Sequence, residues 1–157
     1  MAHTHICDLI HSIDIRRDSI TSNLFGRCIP IGNVIRMPRW YSHTDVLKQE
    51  SLIVHNIVHL EQQKFSPLYA LFVWIPKYIF SKKFRAVCEM EAFWAQLEHL
   101  VYCREVEVRY HIIESRMCDM YGDAINIRLA KAFTCAFKSG EKPHDWYDFY
   151  KKYMCST

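Results

Sequence analysis

Four glycines and five prolines are few for a chain of 157 residues, and none sits in a low-complexity tract. That scarcity excludes collagen-like repeats, flexible linkers and long disorder, which need these residues in bulk. A glycine-rich, phosphate-cradling loop is also missing, which counts against ATP, GTP and dinucleotide chemistry. No CxxC pair occurs. Cys7, Cys28, Cys88, Cys103, Cys118, Cys135 and Cys155 stand singly. Seven scattered thiols fit neither a secreted disulfide scaffold nor a cysteine-type zinc finger, and they predict mostly buried, reduced side chains. The most apolar stretch, residues 67–80 (PLYALFVWIPKYIF), carries a lysine and a central proline. It is too short to span a bilayer and reads as a buried helix. No export signal is visible either, so a soluble protein made in the cytoplasm is expected. Charge of one sign is lacking too. Twenty Lys and Arg against seventeen Asp and Glu leave +3, too little for a nucleic-acid binder working by bulk electrostatics.

What is present is apolar: half of the residues are hydrophobic and 14% are aromatic. That suffices for the core of a single domain covering residues 1–157. Residues 29–37 (IPIGNVIRM) place two β-branched runs around Gly32-Asn33, a hairpin signal. Ser42 or Thr44 is placed to cap a helix that starts near Asp45 and runs to Phe65, where Ser66-Pro67 stops it. A second helix follows over 68–80, with a kink expected at Pro76. Lys82 to Arg85 read as a basic turn, and a third helix as residues 86–103. Residues 105–112 (EVEVRYHI) alternate like a strand, although a helical continuation is equally open. Helices over 123–137 and 144–154 complete an α+β, α-rich fold with a short N-terminal β-hairpin.

Residues 52–63, LIVHNIVHLEQQ, carry the chemistry. His55 and His59 stand four apart on the first helix, so their imidazoles lie one turn apart on one face. Two neutral histidines so placed are a ready pair of zinc ligands. The bare pair is weak evidence, and taken alone it fits two half-buried histidines making ordinary hydrogen bonds better. Three features add to it. Gln62 completes HxxxHxxQ, a hairpin and a capped helix precede the pair, and thirty positions after His59 comes Glu89-Met90-Glu91-Ala92, an ExEA motif able to supply a carboxylate ligand.

At residues 30–95 the chain resembles the small HExxH zinc metallopeptidase-like proteins of bacteria and tailed phages, which look like minimal gluzincins. The resemblance implies a zincin-like core over about residues 30–104, with a C-terminal helical extension over about 105–157. It implies a zinc site with His55, His59 and Glu89 as ligands, and with Glu91 and Gln62 as orienting partners of those ligands. It also suggests protein partners in a larger assembly, and a virion-associated location in place of the cytoplasm if the chain is phage-encoded.

One departure weighs more than the match. The residue after the first histidine is Asn56 where the motif has Glu. In the peptidase mechanism that Glu takes a proton from the metal-bound water and passes it to the leaving amine. The asparagine amide cannot take that proton at neutral pH, and losing a positioned base typically costs about 10²–10⁴ in rate. The sequence therefore predicts a catalytically degenerate, metal-binding domain with a structural or interaction role. The alternative is an active zinc-dependent hydrolase using another base, for which Glu91 is placed better than Glu61.

Other combinations are weaker. His3, His5 and Cys7 could gather a metal but lie at a terminus. Cys118, His111 and Asp119 supply the residue types of a cysteine hydrolase without any motif. The aromatics of the last helix, Trp146, Phe149, Tyr150 and Tyr153, suit a core face or a docking face equally.

Overall fold

Ile31 and Val34 face each other across a two-residue turn, where Gly32 supplies the positive φ (+66°) that a tight hairpin demands. The structure is a computed structural model that describes residues 13–16, 28–43, 46–102, 110–121 and 124–154. Its small sheet consists of β1 (Asp14–Arg16), β2 (Ile29–Ile31) and β3 (Val34–Arg36) in the order β1-β3-β2. The β2–β3 hairpin is antiparallel, as the sequence predicts, and β1 joins β3 in parallel register. The sequence does not announce β1. Three residues with one apolar side chain, Ile15, are too few for a period-2 pattern to register.

Six helices follow. They are α1 (Val46–Gln62), α2 (residues 67–80), α3 (Lys82–Tyr102), α4 (Tyr110–Tyr121), α5 (Ile127–Ser139) and α6 (Trp146–Met154). The architecture is α+β and helix-rich, as expected. Thr44, Asp45, Gly122, Asp123 and the amino-terminal His3, His5 and Cys7 lie outside the described residues, as do 105–109 of the alternating stretch. Its remaining part, from Tyr110, is helical rather than extended.

Several boundaries differ from the sequence reading for local reasons. Helix α1 ends at Gln62, because Lys64 and Phe65 turn left-handed (φ 54° and 49°) and their N–H groups bond back to Glu61 and Leu60. This Schellman-type stop needs no glycine here. Ser66 does not terminate α1 but caps α2 through its hydroxyl, and Pro67 takes the first helical position. Lys82 to Arg85 form the first turn of α3, not a loop, because Ser81 Oγ accepts from the Phe84 N–H and caps them. Asn126 caps α5 in the same way, and Gly140 ends it at φ +72°. The expected kink at Pro76 appears as a π turn just before it, over Ala70–Trp74, where the Ile75 N–H bonds to the Ala70 carbonyl. Proline has no N–H to offer Phe72, and widening the preceding turn relieves the clash of its ring with that carbonyl.

Two apolar clusters flank the α1–α3 interface. Ile35, Met37 and Tyr41 pack with Ile57 and Leu60 of α1 beneath the sheet. On the far side Met90, Trp94 and Leu97 of α3 pack with Met117, Leu129, Phe133, Trp146 and Tyr150. The aromatic face of α6 thus belongs to the core, with Lys151 and Lys152 outward. The expectation of a buried α2 is only half met. Ala70 and Trp74 are buried, whereas Leu68, Leu71, Phe72, Ile79 and Phe80 are exposed.

Gln63, fully buried, ties the end of α1 to the hairpin. Its Oε1 accepts from the Gly32 N–H (3.2 Å) and its Nε2 donates to the Pro30 carbonyl (3.0 Å). Gln63→Leu would leave those two backbone groups unpaired. The expected loss is about 1–3 kcal/mol, read as a lower midpoint in urea unfolding.

Candidate metal centre

Burial faces of α1 and α3 decide what meets at their interface. Ile57 and Leu60 turn to the sheet, which leaves Ser51, His55, His59 and Gln62 towards α3. Helix α3 turns Met90, Trp94 and Leu97 to the second apolar cluster and answers with Glu89 and with Gln96, whose Nε2 donates to Ser51 Oγ (3.3 Å).

His55, His59 and Glu89 come together at this interface and form a cluster able to hold a metal ion. The two Nε2 atoms are 3.2 Å apart. His55 Nε2 lies 3.3 Å from Glu89 Oε2, and His59 Nε2 lies 3.4 Å from Glu89 Oε1. All three residues are buried, with Glu89 only 1% exposed. Aromatic rings wall the cluster: Phe93 stands edge-on to His55, and Trp74 and Tyr78 of α2 stand against His59.

The tautomer of His59 follows from its neighbours. The Gln62 amide donates through Nε2 to the Cys88 carbonyl (3.1 Å) and to Glu91 Oε2 (2.9 Å). Its Oε1 therefore faces His59, and at 2.9 Å it accepts from Nδ1–H. A neutral His59 then aims the Nε2 lone pair into the cluster, as a ligand must. Gln62 thus bridges His59 and Glu91. Removing the amide in Gln62→Leu is expected to weaken metal binding about 10–100-fold, with a matching loss of stability in the metal-loaded protein. Competition with a colourimetric chelator would read it.

Two atoms of the cluster are orphaned. His55 Nδ1 and Glu89 Oε2 are buried without a hydrogen-bond partner among the described residues. Burial alone would push the Glu89 carboxyl up, but His59 and His55 outweigh it and hold it well below the usual carboxylate range. Burial pulls His55 down, so its imidazole favours the neutral form that a metal requires. Burial works against the charged form of His59 too, yet Glu89 beside it lifts it above the ordinary histidine range.

Tyr78 is the functional residue the sequence reading missed. Its hydroxyl donates to Glu89 Oε1, so α2 contributes to the site along with α1 and α3. The signal was the spacing Ala70, Trp74, Tyr78, one helical face with polar-tipped aromatics. Asn56 does not join the cluster. Its Nδ2 donates to the Leu52 carbonyl (2.7 Å), and the amide lies against the Cys28 thiol, which burial raises to about 11. Glu91, hydrogen-bonded to Gln62, stands behind the ligands. Burial and then the nearby Asp119 and Glu114 all raise the Cys118 thiol, which favours its protonated form.

No protein family, no curated protein and no solved structure matches the chain. The functional reading therefore rests on the site itself.

Proposed function

We propose that the chain is a catalytically degenerate zincin-like domain in which a zinc ion on His55, His59 and Glu89 ties α1 to α3. The observation that carries this reading is the spacing of the donors, 3.2, 3.3 and 3.4 Å. Zinc bonds of about 2.0–2.1 Å in a tetrahedron put neighbouring ligands about 3.3–3.4 Å apart. Direct charge-assisted hydrogen bonds would close to about 2.7–2.9 Å. The orphaned Glu89 Oε2 points the same way, since a cation would satisfy it, and the neutral His55 has its Nε2 lone pair free for one.

Bound zinc supplies cross-linking free energy and, at any open position, Lewis acidity. The chain's own residues support the first and neglect the second. Asn56 cannot accept a proton and is engaged with Leu52 and Cys28. Glu91 is committed to Gln62. The buried, aromatic-walled cage fits a structural ion. A place in a larger protein assembly, a tailed-phage virion included, draws its support from the sequence resemblance alone.

Chelation tests the structural role. An ion present at about 1,000 times its dissociation constant contributes about 4 kcal/mol. Stripping it is expected to lower the thermal midpoint by about 8–16 °C, with recovery on adding zinc and no peptide hydrolysis in either state. Zinc-dependent hydrolysis that vanishes in Glu91→Gln and survives in Asn56→Ala would replace this reading with an active hydrolase.

A further inference from the structure

The chain's excess of positive charge falls in one segment. Between Gln63 and Glu89 lie Lys64, Lys77, Lys82, Lys83 and Arg85, with no acidic residue at all. The remainder of the chain holds 15 Lys and Arg against 17 Asp and Glu, so it is net acidic. Helix α2 lies within this basic segment, and it has two unlike faces. Its inner face, Ala70, Trp74 and Tyr78, closes over the metal cluster. Its outer face is a convex ridge of apolar side chains: Leu68 is 68% exposed, Phe72 74%, Ile79 58% and Phe80 85%, with Leu71 beside them. Among the described residues, most of the exposed large hydrophobics fall on this single helix.

The ridge carries no side chain able to make a directional hydrogen bond. Its cations form a rim: Lys64 precedes the helix, Lys77 stands exposed on its flank, and Lys82 is exposed just beyond Phe80. Lys64 also reaches over the Tyr69 ring at the start of α2, at 4.9 Å. Apolar bulk in the middle and diffuse positive charge around it match a plane with an apolar interior and a negative surface. At fourteen residues α2 is about 21 Å long, shorter than the roughly 30 Å of hydrocarbon a spanning helix must cross. No described helix is long and apolar enough to cross a membrane.

We propose that the outer face of α2 docks on an anionic lipid bilayer, with Phe72, Ile79 and Phe80 inserted below the headgroups and the lysine rim among them. The inference is independent of the metal reading. Both the apolar face and the rim are required, because neither a few inserted side chains nor scattered lysines anchor a protein alone.

The experiment is co-sedimentation of the full chain, as purified, with phosphatidylcholine vesicles that either contain or lack phosphatidylserine. The expected result is binding to the phosphatidylserine vesicles, at least about ten-fold weaker on phosphatidylcholine alone and weakened by salt. Lys77→Gln/Lys82→Gln should lose about five-fold per lysine. Phe72→Ser/Phe80→Ser should abolish binding while keeping the thermal midpoint, since both rings are exposed. Failure to sediment with anionic vesicles overturns the proposal, as does binding unchanged in Phe72→Ser/Phe80→Ser. So does a concentration-dependent dimer that this variant disperses, which would assign the ridge to a second copy of the chain.

Discussion

Glu89→Ala is expected to cost about 3–5 kcal/mol, the range for breaking a buried charged pair by removing one partner. The carboxylate is the hub of the α1–α3 interface: His55, His59 and Tyr78 all point at it. Its loss leaves the Tyr78 phenol without its acceptor, takes the countercharge from beside two buried imidazoles, and removes the anionic ligand. For a chain of this length the thermal midpoint should fall by about 2–4 °C per kcal/mol, and the metal should be lost with it. Glu89→Gln separates the two effects. It keeps the shape and an oxygen for Tyr78 but not the charge, so metal binding should fail while stability lies between wild type and Glu89→Ala. Circular-dichroism melts beside metal analysis on the same samples make the measurement. Glu89→Ala melting within a degree of wild type would contradict the role assigned to the cluster.

The second large effect falls outside the site. Gly32→Ala is expected to destabilise by about 2–5 kcal/mol, for two reasons that add. At φ +66° any L side chain is strained, at roughly 1–2 kcal/mol. A Cβ there would also stand 2.9 Å from Pro67 Cγ and 3.1 Å from Cδ, and such overpacking typically costs about 1–3 kcal/mol. Pro67 opens α2 and cannot retreat without moving it. Gly140 is the natural control, because it has nearly the same φ (+72°) and nothing within 4 Å of the added atom. Gly140→Ala should lose only the backbone share, about 1–2 kcal/mol. Urea unfolding of the two variants side by side reads the difference, and equal losses would show that the contact with Pro67 carries no cost.

These two sites differ in how far the sequence exposes them. His55 and His59 are legible because four residues is one helical turn whatever surrounds it, and the β-branched run between them still forms a helix. Isoleucine and valine have weak helix propensity, but the period of burial between the sheet side and the α3 side overrides it. Glu89, Glu91 and Gln62 were legible only through the resemblance, since nothing in their spacing shows which face of α3 meets α1. Tyr78 was hidden because α2 reads as uniformly apolar. Its function depends on which of its aromatics turn inward, and packing decides that. The same uniformity concealed the outward ridge, as a string of apolar residues does not reveal a side left uncovered. The hairpin was legible in Gly32-Asn33, but Gln63, which binds its turn, is an unremarkable polar residue in sequence and fully buried only in three dimensions. The stop at Lys64-Phe65 was missed because left-handed turns without glycine or asparagine carry no compositional mark.

The cluster predicts a definite composition. Metal content of tag-free protein, measured by inductively coupled plasma mass spectrometry beside His55→Ala/His59→Ala, tests it most directly. About one zinc per chain is expected in the wild type and almost none in the double variant. Wild-type protein holding no more metal than the double variant would contradict it, and would leave His55, His59 and Glu89 as a buried ion-paired cluster between two helices.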